Sequence, residues 1–119
     1  MKSRDTASAP PFPAEAASLL LPGAAGAIEI AVSVPAQDAR NGVAVIAHPH
    51  PLQGGTMFNK VVTTLDRALG ELGLATVRFN FRGVGRSEGV HDEGRGETDD
   101  LVAVAEWVRR ETPGAALWL

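Results

Sequence analysis

The strongest constraint on this chain is a change of hydrophobic period between residues 42 and 81. The run "VAVIAHP" is apolar on both faces and β-branched, as expected of a central parallel strand. From Thr56 the period becomes helical, with Phe58, Val61, Val62, Leu65, Leu69 and Leu72 recurring at three- and four-residue steps and Gly73 placed as a left-handed stop. "LATVRFNF" then returns to strand, with Val77, Phe79 and Phe81 on one face. Strand, amphipathic helix and strand in this order form a βαβ unit, whose crossover is right-handed and whose functional loops lie at the carboxyl ends of the strands.

The flanks extend that unit. Ile28, Ile30, Val32 and Val34 alternate as a half-buried strand, and with the preceding "SLLL" around Pro-Gly-Ala-Ala-Gly they predict an antiparallel hairpin. After the loop "RGVGRSEGVHDEGRGE", the segment "TDDLVAVAEWVRRE" predicts a second helix with Leu101, Val104, Ala105 and Val108 as its buried stripe. Acidic residues at its start and arginines at its end suit the helix dipole. Pro113-Gly114 breaks it and "AALWL" begins one more strand. The expected class is α/β, a three-layer α/β/α sandwich in which a hairpin precedes strand, helix, strand, helix and strand, with the two helices on opposite faces. Residues 1–15, rich in Ala, Pro and Ser without periodicity, are expected to form a disordered lead-in to a domain over 16–119.

Composition excludes several classes of function. Net charge is −3 and the 11 basic residues are scattered, so no patch suits a phosphate backbone and nucleic acid is not an expected partner. No cysteine is present, which excludes disulfides, thiolate metal sites and cysteine nucleophiles and fits a cytoplasmic location. The N-terminal apolar run is too short for a signal peptide or a membrane span.

Gly85-Arg86-Ser87-Glu88-Gly89 fits Gly-x-Ser-x-Gly, the pattern of a serine-hydrolase nucleophile turn. Its context does not. A nucleophile elbow joins strand directly to helix, so that the following amide faces the oxyanion. Here Arg82 to Arg86 separate Ser87 from its strand, a loop rich in glycine and acid follows it, and the one later histidine, His91, stands four residues along the same loop. A structural loop is the better reading. Gly83 and Gly85 permit backbone angles a side chain forbids, the Ser87 hydroxyl bonds local amides, and Arg82 pairs with Asp99 or Asp100 at the next helix start. A phosphate cradle fails as well, because the third glycine of Gly-x-Gly-x-x-Gly would fall on Glu88.

His48 and His50, alternate residues at a strand end, point to one face and could share a metal with His91 and Asp92 as further ligands, but the barrel of the metal-dependent amidohydrolases that such a His-x-His suggests is far larger than this chain. The other use of this loop is an oxyanion hole. Pro49 and Pro51 lack amide hydrogens, which leaves the amides of His50 and Leu52, or those of Gln53 to Gly55, to face a developing oxyanion. His50 and Leu52 are the candidates, with His48 beside them. A stiff strand-to-helix connection fits the same pattern equally well.

Together, "AHPHPLQGGTMFNKVV", "ATVRFNFRGVGRSEG" and "DEGRGETDDLVAVAEWV" closely resemble a small bacterial branch of the α/β-hydrolase superfamily over about residues 17–119. The resemblance implies that the His-Pro-His-Pro-x-x-Gly-Gly loop follows the third strand and borders the oxyanion hole, that Arg-Gly-x-Gly-x-Ser follows the fourth, and that neither carries the nucleophile. It further implies a serine hydrolase of ester or acyl bonds acting on a small acyl substrate without metal or organic cofactor. The elbow would come directly after "AALWL", with acid and histidine later still. By this resemblance the chain reads as roughly the first half of such an enzyme, inactive by itself. The other reading is a non-catalytic module that binds a partner, or a second copy, through its open sheet edge.

Overall fold

The computed structural model describes residues 9–35, 39–48 and 55–119. Five strands and two helices alternate along it: β1 (Ala17–Gly23), β2 (Gly26–Ser33), β3 (Gly42–Ile46), α1 (Lys60–Glu71), β4 (Ala75–Phe79), α2 (Arg95–Glu111) and β5 (Ala116–Trp118). The sheet order is β1-β2-β4-β3-β5. β1 and β2 form the expected antiparallel hairpin, closed at Gly23↔Gly26. β3 pairs in parallel with β4 and with β5. β2 joins the parallel part by running antiparallel to β4, Ile30 opposite Phe79 and Val32 opposite Val77.

All five residues of β3 are buried, which accounts for their apolar character on both faces. Alternation along β4 divides the two sides of the sheet. Val77 and Phe79 join Val43, Val45, Ile28, Ile30, Val32 and Leu21 in one core, which α2 closes with Val104, Trp107 and Val108. Thr76, Arg78 and Asn80 point the other way, toward α1, where the Asp66 carboxylate accepts hydrogen bonds from the hydroxyls of Thr76 and Ser33. The two helices therefore lie on opposite faces.

Three local expectations differ from the structure. Of the periodic residues in α1 only Val62 is buried, while Phe58, Val61, Leu65 and Leu72 are exposed. The helix seats itself through Val62, Asp66 and Leu69 because the polar side chains of β4 on that face need a carboxylate. That rotation turns the stripe of Val61, Leu65, Ala68 and Leu72 away from the sheet. Next, α2 begins at Arg95 rather than Thr98. Glu97 accepts the N–H groups of Gly94 at 2.9 Å and Asp92 at 2.8 Å, satisfying donors that would otherwise be orphaned at the first turn. Third, part of the lead-in expected to be disordered is packed. The ring of Phe12 lies 5.4 Å from that of Trp107, whose indole N–H donates to the carbonyl of Pro10 at 2.7 Å. Trp107 is the largest buried side chain, and these residues satisfy its polar edge and cover its face.

Candidate functional site at the carboxyl ends of β3 and β4

Parallel strands direct their carboxyl ends to the same edge of the sheet, so the loops after β3 and β4 are neighbours. His48 ends the β3 segment and is buried. Its Nε2 accepts the Phe81 N–H at 3.0 Å, and its ring meets that of Phe81 edge-on, centroids 4.8 Å apart. An accepting Nε2 carries no proton, so the neutral ring holds its hydrogen on Nδ1. His50 and Leu52, the oxyanion candidates, lie outside the described residues, as do Gln53 and Gly54.

Where the chain is described again, β4 side chains hold it. Asn80 Oδ1 accepts the Met57 N–H at 2.8 Å, and Arg78 Nη1 donates to the Met57 carbonyl at 3.0 Å. Both backbone groups of this buried residue are thus satisfied from one face of one strand. Consecutive residues of the β4 end, Asn80 and Phe81, therefore fasten the two sides of the His-Pro-His-Pro loop: Phe81 through His48 before it, Asn80 through Met57 after it.

Asn80 is in turn fixed by its amide, which donates to Glu29 Oε1 at 2.9 Å. That same oxygen accepts the Arg86 N–H at 2.8 Å. Ser87 is 6% exposed; its hydroxyl donates to the Asn80 carbonyl at 2.6 Å and accepts the Glu29 N–H at 2.8 Å. Glu88 adds a bond from the Ala27 N–H at 2.7 Å. The glycine loop is sewn to β2, and the Ser87 hydroxyl is fully engaged in the seam. Gly85, at φ 55°, makes the seam possible, since a Cβ there would stand 2.6 Å from Glu29 Oε1 and 2.5 Å from Asn80 Nδ2. Gly83 likewise has positive φ, at 80°.

The other side of the loop is held by one ion pair. Of the two carboxylates offered by the sequence, Asp100 takes Arg82, while Asp99 is exposed. Asp100 accepts Arg82 Nη2 at 3.0 Å, Nε at 3.2 Å and the backbone N–H at 2.9 Å. Asp100 is 1% exposed. The hydrogen bond to Asp100 raises the pKa of Arg82 above its ordinary value, against the opposing effect of burial. Further along, His91 Nδ1 lies 3.1 Å from Glu97 Oε2. Burial pushes the Glu97 carboxyl up, but the donated N–H groups of Asp92, Glu97 and Gly94, with His91 nearby, outweigh it and hold the group below the usual carboxylate range.

The Ser87 hydroxyl, among the described residues, bonds two backbone groups, and His91 turns to Glu97. Among the described residues no three of His, Asp and Glu gather as a metal site. No helix among the described residues is long and apolar enough to cross a membrane. At this edge the β4 end instead fastens His48, through Phe81, and Met57, through Asn80. Asn80 and Glu29, which organise it, were absent from the sequence reading. One signal for Asn80 was available, a lone amide side chain at the end of the apolar strand "VRFNF".

Comparison with known proteins bears on the family and the fold. A sequence profile of the X-Pro dipeptidyl-peptidase (S15) family matches residues 26–116. The chain is 52% identical to an α/β serine hydrolase without lid from Xanthomonas campestris, with a TM-score of 0.89 over 92% of this chain and 51% of that one. For an α/β serine hydrolase homologue from Coxiella burnetii the values are 48% and 0.87, over 91% and 52%. An uncharacterised protein of Rickettsia prowazekii is 44% identical over 73 residues, 61% of this chain and 31% of its own length. The chain thus spans about half the length of the two solved relatives, and its fold is the corresponding part of the α/β-hydrolase fold.

Proposed function

Since the chain belongs to the X-Pro dipeptidyl-peptidase (S15) family of α/β hydrolases, we propose that its 119 residues build the oxyanion side of a serine hydrolase of ester or acyl-type bonds. The serine nucleophile, its acid and its histidine would be supplied by residues beyond those present. The observation that carries this reading is the fastening of the described residues on either side of 49–54, His48 to Phe81 and Met57 to Asn80. Amides stabilise a developing oxyanion only if they are held before the reaction, because donors that must reorganise lose most of their advantage. His50 and Leu52 are the proposed donors, and His48 is a positioning residue for them. Ser87 is a structural residue in this proposal, and the chain alone is inactive.

Labelling with a fluorophosphonate tests it. The purified chain is expected to remain unlabelled and to turn over activated acyl esters no faster than a heat-treated control. Labelling that Ser87→Ala abolishes would make Ser87 the nucleophile and refute the proposal. The alternative, a non-catalytic module working through its open edge, draws on β5, whose Trp118 is exposed.

A further inference from the structure

Residues 9–13 read Ala-Pro-Pro-Phe-Pro and belong to no helix or strand. Proline fixes its own φ near about −65° and keeps the residue before it out of the helical region, so each of the five is directed toward polyproline II. Burial follows the matching period of three: Ala9, Pro10, Phe12 and Pro13 are partly covered, whereas Pro11 and Ala14 are exposed. A polyproline II helix makes no internal hydrogen bonds, which leaves its carbonyls to outside donors. Here the Pro10 carbonyl accepts the Trp107 indole N–H at 2.7 Å. The Phe12 ring lies 5.4 Å from that of Trp107, and Ala9 and Phe12 pack on the core that Trp107 shares with Val104 and Val108. Under this cover Trp107 is 1% exposed.

We propose that the Trp107 face of α2 is a recognition site for proline-rich segments, occupied in cis by residues 9–13 and open to a partner polypeptide whose Pro-Pro-aromatic-Pro segment displaces them. The inference is independent of the hydrolase reading. The seated segment itself gives the ligand chemistry. An aromatic surface is what polyproline II recognition uses, and here it offers an indole donor to a proline carbonyl. A helix that is stiff before it docks loses little conformational entropy on docking. The segment is also built to come away. It is held by the Pro10 hydrogen bond and by the packing of Ala9 and Phe12, with no strand pairing among the described residues. Ala14, Glu15 and Ala16, all exposed, join it to β1 and let it turn aside without disturbing the sheet. Their shortness selects a partner over a second copy. From Pro13 to the start of β1 at Ala17 the tether reaches at most about 14 Å, so another copy could offer its own segment only with its β1 laid against this α2. A free segment of another polypeptide meets no such restriction.

The test is fluorescence anisotropy with a labelled synthetic peptide of residues 9–16, APPFPAEA, and the full 119-residue chain. In the unaltered chain the peptide competes with a tethered copy of itself at an effective concentration on the order of millimolar, so binding should be weak. Phe12→Ala loosens the tethered copy and leaves the seat intact. It should therefore tighten peptide binding about tenfold, since apparent affinity follows the fraction of open seats. Pro13→Ala, which frees only the backbone of the segment, is a second and milder way to loosen it, and circular dichroism checks that both chains fold. Replacing the three prolines of the peptide by alanine should abolish binding, a control that leaves the protein untouched. Trp107→Phe in the Phe12→Ala chain keeps a ring but loses the indole donor, and should weaken binding. No saturable binding to either loosened chain, or equal binding of the proline-free peptide, would overturn the proposal. Dimers of the unaltered chain that Phe12→Ala dissolves would overturn it too, because copies would then be exchanging the segment; association through β5 does not depend on Phe12.

Discussion

Replacing Arg82 by alanine removes the side chain that, among the described residues, pairs with Asp100, a carboxylate 1% exposed to solvent. Two of the three hydrogen bonds that Asp100 accepts disappear, and the backbone N–H of residue 82 remains. Deleting one partner of a buried ion pair costs about 3–5 kcal/mol, because the charge left behind is desolvated without compensation. Arg82 is 12% exposed, so water can partly replace the guanidinium, which places the expected loss near the lower end, about 3 kcal/mol. For a domain of this size that loss lowers Tm by about 12–24 °C, at roughly 4–8 °C per kcal/mol. The assay is a thermal melt followed by circular dichroism, with a double-mutant cycle. Asp100→Asn in the Arg82→Ala background should restore part of the loss, since it removes the stranded charge while keeping an acceptor for the backbone N–H. A fall in Tm below about 4 °C for Arg82→Ala, equivalent to less than about 1 kcal/mol, would refute the reasoning and mean that the seam to Glu29 holds the loop alone. Unchanged stability with lost activity, in a protein complemented by the other half, would assign Arg82 to substrate or chemistry.

Ser87→Ala leaves the Glu29 N–H and the Asn80 carbonyl without their partner, and a loss of about 1–3 kcal/mol is expected in urea unfolding; a neutral outcome would show that the hydroxyl contributes nothing to the seam. The Glu97 carboxyl has a folded pKa below its unfolded value, so its stabilisation is present above the unfolded value of about 4.3 and is lost as pH falls through the lower folded one. Glu97→Gln should therefore cost about 1 kcal/mol at pH 7, the scale of a lost helix cap, and progressively less in acid, and a difference that stays constant from pH 7 to pH 3 would contradict this. Expressed alone, these 119 residues at micromolar concentration are expected to associate through β5, because exposed strand edges template pairing. A sharp monomer peak by light scattering with a cooperative melt would exclude that.

The βαβ unit and the hairpin were legible because each follows from the periods of adjacent segments, and the placement of the helices on opposite faces from the handedness of the crossovers. The pairing of Arg82 with an acid at the next helix start was legible as well, since an ion pair needs only complementary charge within reach, although sequence left Asp99 and Asp100 equivalent. Which stripe of α1 meets the sheet was not legible: Val61 and Val62 serve equally until Thr76 and Ser33 are known to require Asp66. The Glu29, Asn80 and Ser87 seam escaped because Glu29 stands 51 residues from Asn80 and 58 from Ser87 and each is unremarkable alone. Trp107 was missed for a related reason, as its partners Pro10 and Phe12 lie in a stretch without periodicity.

The sheet order also bears on how the chain survives its own synthesis. β3, the strand apolar on both faces, is completed at Ile46, but its neighbours begin only at Ala75 and Ala116. At roughly 5–20 residues per second, translation leaves "GVAVI" unpaired on both edges for a time on the order of seconds. The hairpin finished earlier cannot shield it, because β2 reaches the parallel strands through β4. Elongation rate through residues 47–79, and the supply of holdase chaperones at the ribosome, should therefore govern the yield of folded protein more than any change within β1 or β2.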